Sequence, residues 1–91
     1  MMGNNVYLVC KCCGSRVLHL GKFSMVKGNT VFYSSFSFDE VRRRLLHLNK
    51  HEQVADETSK IWSVNDLISV LRMIANQGLW RFVDNAPDDW S

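Results

Sequence analysis

The same helix-starting device occurs twice after residue 35, and it fixes where helices can begin. Ser37 is followed three residues on by Glu40, with Phe36 before it and Val41 after; Ser63 is followed by Asp66, with Trp62 before and Leu67 after. A serine oxygen at such a position accepts the backbone N–H three residues on, and the flanking apolar pair closes over the first turn. Helices are therefore predicted over 38–53 and 64–77. Gly78 marks the second stop, with Leu79 free to pack back on Ile74. Residues 55–60 are polar and read as the connecting loop.

The first 35 residues carry a different signal. Residues 6–10 and 16–20 are short, β-branched and apolar, and a cysteine-rich turn separates them. Gly28-Asn29 marks a second tight turn between residues 23–26 and 30–33. Gly21-Lys22 is a place for a bend or bulge. Residues 79–83 read as a last strand that rejoins the sheet. The expected fold is α+β: one small domain over 1–91, an antiparallel meander of three or four strands, two α-helices and a C-terminal strand. Residues 1–4 and 85–91 read as loose termini.

With 46% apolar residues and a single proline, the chain suits one modest core. At 91 residues a metal staple or a partner would add usefully to stability. The N-terminal segment lacks a secretory pattern and no run approaches the roughly 18 apolar residues of a membrane span, so a cytoplasmic protein with reduced cysteines and no membrane contact is expected. The net charge of +2 conceals a division. Residues 1–51 carry eight cations against two anions, and residues 52–91 three against seven. A basic half can meet phosphates, while the acidic half can fold against it or repel the same ligand, so the asymmetry reads as an interaction surface of unspecified kind.

Cys10-Lys11-Cys12-Cys13-Gly14 has the C-x-x-C-G pattern of a metal-gripping turn, and His47 and His51 lie one turn apart on the first predicted helix. Cys10, Cys13, His47 and His51 could supply the four ligands of one structural zinc. The order of knuckle, hairpin and helix is similar to a zinc finger of the two-cysteine, two-histidine kind, but 33 residues separate Cys13 from His47 where that family uses about a dozen. The alternative is no cofactor, with the cysteines as small buried hydrophobes. His19 is a further possible ligand.

Chemistry has little footing. The C-x-x-C is followed by a strand, where a redox C-x-x-C of the oxidoreductase kind opens a helix, and phosphate-loop, dinucleotide, H-E-x-x-H and G-x-S-x-G patterns are lacking. A noncatalytic binding protein is expected. Leu46 falls among Arg42, Arg43, Asn49 and Lys50, away from the stripe of Phe38, Val41, Leu45 and Leu48. Val70 and Met73 form an apolar shoulder on the second helix, and Trp90 sits among tail aspartates. The expected site is Arg42, Arg43, Leu46, Lys50 and Trp90 on the surface of a larger protein partner, as for small inhibitors or regulators of phages and mobile elements. The second reading is a zinc-stabilised nucleic-acid module. There Arg42, Arg43, Arg44, Lys50, Lys11 and Arg16 would follow phosphates, and Tyr7, Phe32 or Tyr33, facing outward, would stack on bases.

Overall fold

A computed structural model describes residues 3–83. Strand β1 (Gly3–Cys10) alternates, with Val6 and Leu8 on the side of the main core and Tyr7 and Val9 on the other. It pairs antiparallel with β2 (Arg16–Val26), which runs unbroken through Gly21, so the meander has three strands. The register explains that continuity. Val6 faces Gly21 and Tyr7 faces His19, which leaves Leu20 as the extra residue of a bulge. Leu20 is buried in the core, and the bare backbone at Gly21 admits the Phe32 ring: a Cβ there would lie 2.4 Å from Phe32 Cζ. A second shift, with Leu8 facing Leu18 and Val9 facing Arg16, leaves Val17 without a partner residue.

The turn from β2 to β3 (Asn29–Ser34) is Lys27-Gly28, one residue earlier than predicted. Both residues have positive φ, 52° and 81°, as in the two-residue turn whose twist matches a hairpin.

The capping serines hold both helices. Ser37 accepts the Glu40 N–H at the start of α1 (Phe38–Leu46), and Ser63 the Asp66 N–H at the start of α2 (Val64–Asn76). The predicted stop of α2 is realised: Gly78 follows the Gln77 cap, and Leu79 N–H bonds to Ile74 O at 3.0 Å. The prediction for α1 fails. It ends at Leu46, with His47 as cap, and the chain turns on Asn49, whose side chain accepts the His51 N–H at 2.8 Å. Residues 52–56 then form a strand, β4 (Glu52–Asp56), where helix end and loop were expected. Strand β5 (Ile61–Trp62) closes a hairpin with it.

β4 pairs antiparallel with the free side of β1, and β6 (Trp80–Phe82) pairs parallel with β3. The result is one mixed six-stranded sheet in the order β5-β4-β1-β2-β3-β6. Both helices cover one face. Val41 and Leu45 of α1 and Leu67, Ile68, Leu71 and Ile74 of α2 join Val6, Leu8, Leu20, Phe32 and Val54 in the main core. Tyr7, Val9 and Ala55 form a smaller cluster apart from it. Among the described residues no helix is long and apolar enough to cross a membrane.

Asp56 ties the β4–β5 turn to the start of β1. Its Oδ1 accepts from the Thr58 N–H and hydroxyl and the Lys60 N–H; its Oδ2 accepts from the Asn4 amide at 2.9 Å and the Trp62 indole at 3.1 Å.

Candidate functional site

Amphipathic α1 positions the first candidate surface. Burying Val41 and Leu45 turns Arg42, Arg43 and Leu46 outward, and Leu46 is 49% exposed. Glu40 lies within 3.4 Å of both Arg43 and Arg44. These are exposed contacts that orient the arginines more than they stabilise the fold. The Arg44 guanidinium also stacks 4.8 Å from the centre of the Phe36 ring. Arg43 and Arg44 thus share Glu40, and among the described residues only Arg44 of the pair also rests on an aromatic ring. Lys50, placed on the helix by the sequence, lies instead in the turn that leads to β4. Trp90 lies outside the described residues.

Beside this face runs a groove of about 550 Å³ between α1 and the β1–β2 hairpin. Leu8, Val17, Leu18 and Leu48 supply its apolar lining, and Arg43, Arg44 and His47 line it with Glu40 and Glu52. Val17, the residue left over by the second irregularity of β2, is 54% exposed. Arg43 belongs to both features. It lines the groove and lies one helical turn before Leu46. Sequence reasoning missed the groove, because Val17 reads as an ordinary strand residue until the register is known.

The proposed metal ligands are brought together only in part. Gly14 N–H bonds to Cys10 O at 2.8 Å and Cys10 N–H to Ser15 O at 2.9 Å, so residues 10–15 close a tight knuckle. Within it the Ser15 hydroxyl, 3.0 Å from the Cys13 sulfur, the Ser15 N–H and the Cys10 side chain hydrogen-bond Cys13 and hold its thiol below the usual value. Cys10 is half-buried, and Cys12 and Cys13 are exposed. The Lys11 N–H bonds to His51 O at 2.7 Å, which brings the turn after α1 against the knuckle. The histidines do not share a helix face: His47 caps α1 and His51 lies beyond it. Among the described residues no three His, Cys, Asp or Glu side chains group as a metal site. His19 instead hydrogen-bonds Asn5 Oδ1 at 2.9 Å.

No family model matches this chain, and no curated protein or solved structure does. The site therefore has to be read from its own chemistry.

The rings expected to stack on bases are largely occupied. Phe32 is in the core, and Tyr7 is buried, with the Arg16 guanidinium 4.1 Å over its ring and His19 packed beside it. Tyr33 is half-buried. Two of the three aromatic residues therefore do not present an open face to a ligand.

Proposed function

We propose that this protein is a noncatalytic binding module that engages a larger protein through α1 and the adjoining groove. The observation that carries the reading is the continuity of Leu46, Arg43 and the groove containing Val17 and Leu48. Two half-exposed apolar side chains separated by a cationic rim suit a partner segment that offers an apolar anchor flanked by carboxylates. An apolar anchor in a groove supplies most of the binding energy, while the surrounding charges set approach and orientation. A role as inhibitor or regulator follows from occupying such a partner surface.

The test compares what the immobilised protein, Leu46→Glu and Met73→Glu retain from cell lysate. Met73 is also exposed but lies on α2, so its variant controls for a general change in surface polarity. The Leu46→Glu variant should lose a protein that the parent and Met73→Glu keep, with its circular dichroism unchanged. Equal retention by all three would rule out this surface. Retention of nucleic acid that is released steeply by salt would replace the reading with the phosphate-binding one.

A further inference from the structure

The knuckle carries two cysteines three residues apart, and among the described residues no three metal-binding side chains group with them, an arrangement that suits a different reaction. Cys10 and Cys13 stand three residues apart in a five-residue turn closed by the Gly14 N–H to Cys10 O bond at 2.8 Å, a helix-like turn in which such Cα atoms lie about 5 Å apart, and a disulfide spans about 4.4–6.8 Å. The Cys13 sulfur lies 3.0 Å from the Ser15 hydroxyl at the exit of the turn. Cys13 is open to solvent while Cys10 is half-buried, which separates the thiol a reagent meets first from the thiol that follows. Lys11 within the turn and Arg16 just after it give the knuckle a positive surround. Such surroundings attract an anionic reagent.

We infer that Cys10 and Cys13 form a reversible dithiol–disulfide site that reacts with small anionic disulfides such as glutathione disulfide. The Cys13 thiolate attacks one sulfur of the reagent, forming a protein–glutathione disulfide and expelling one glutathione thiolate. Cys10 then gives its proton to solvent, and its sulfur attacks Cys13 Sγ. The mixed disulfide breaks, a Cys10–Cys13 bond forms and the second glutathione thiolate leaves. Two protein thiols are oxidised, one glutathione disulfide is reduced to two glutathione, and both expelled thiolates take protons from solvent. The reaction modifies the chain's own thiols and requires no turnover of another substrate.

The experiment equilibrates the full chain in mixtures of glutathione and its disulfide, blocks free thiols with N-ethylmaleimide, and reads mass before and after trypsin. Cleavage after Lys11 separates Cys10 from Cys12 and Cys13. Oxidation should leave one maleimide where the reduced chain takes three, hold the two peptides together, and reverse with dithiothreitol. The link should persist in Cys12→Ser and vanish in Cys13→Ser, with circular dichroism the same in both oxidation states. A link that survives Cys13→Ser, a bond within the Cys12-Cys13 peptide, disulfide-linked dimers, or glutathione that stays attached would each overturn the assignment.

Discussion

Asp56 shows how local donors can decide the state of one side chain. Burial pushes its carboxyl upward, but hydrogen bonds from Thr58, Asn4, Trp62 and the Lys60 N–H outweigh it and hold the group at about 2, below the ordinary 3.8. The charged form is thus favoured by folding. Its contribution is full above the unfolded value and fades as pH falls through about 4 toward 2. After allowance for screening by solvent it is about 1–2 kcal/mol. Urea midpoints measured across that interval should fall for the parent and change less for Asp56→Asn, which should already be weaker at neutral pH. Parallel pH profiles would show that Asp56 is not the group responsible.

At the scale of elements, the bulge in β2 is the most exposed to failure. Leu20 and Gly21 follow one another on the core side of the sheet, and only one of them can have a side chain. A Cβ at Gly21 would meet two atoms of the Phe32 ring and the Tyr33 carbonyl at 2.4–2.6 Å. Relieving that clash means moving backbone or a core ring, so Gly21→Ala should cost about 1–3 kcal/mol, read as a lower denaturation midpoint with an unchanged slope. Both helix starts were legible because a cap is written in a few adjacent residues, and Gly21 pointed to a bulge, although the extra residue is Leu20 and not Gly21 or Lys22. The end of α1 was not. No glycine or proline stops it, and His47 to Gln53 can continue a helix as readily as leave one. β4 was hidden for a related reason: its polar ends leave Val54 and Ala55 as a short apolar signal, and its strand character comes from pairing with β1, more than forty residues earlier. The candidate surface divides the same way. Helical spacing reveals Leu46, whereas the groove requires the strand register that frees Val17.

For the whole molecule, the order of the sheet implies a gradient of stability. β1 and β2 have neighbours on both sides and carry core residues, while β5 and β6 are short and have one neighbour each among the described residues. Local opening should follow that gradient. In native-state hydrogen exchange, hydrogen-bonded amides around Val6, Leu8 and Leu20 should exchange last, near the rate set by global unfolding. Those of Ile61–Trp62 should exchange much sooner. Uniform protection across the sheet would mean that its edge cannot open separately from its centre.

The shortness of the outer strands also bears on how the protein tolerates crowding by its own copies. A growing cross-β stack needs a run of about six or seven residues to template on. β5 offers two and β6 three, the part of β4 beyond β5 carries Glu52 and Gln53, and β3 leaves only Asn29, Thr30 and Val31 beyond β6, while β2 is flanked by β1 and β3. Fibril growth from the described part of the folded molecule is thereby starved of a template, and aggregation at high concentration would have to begin from chains that had first opened.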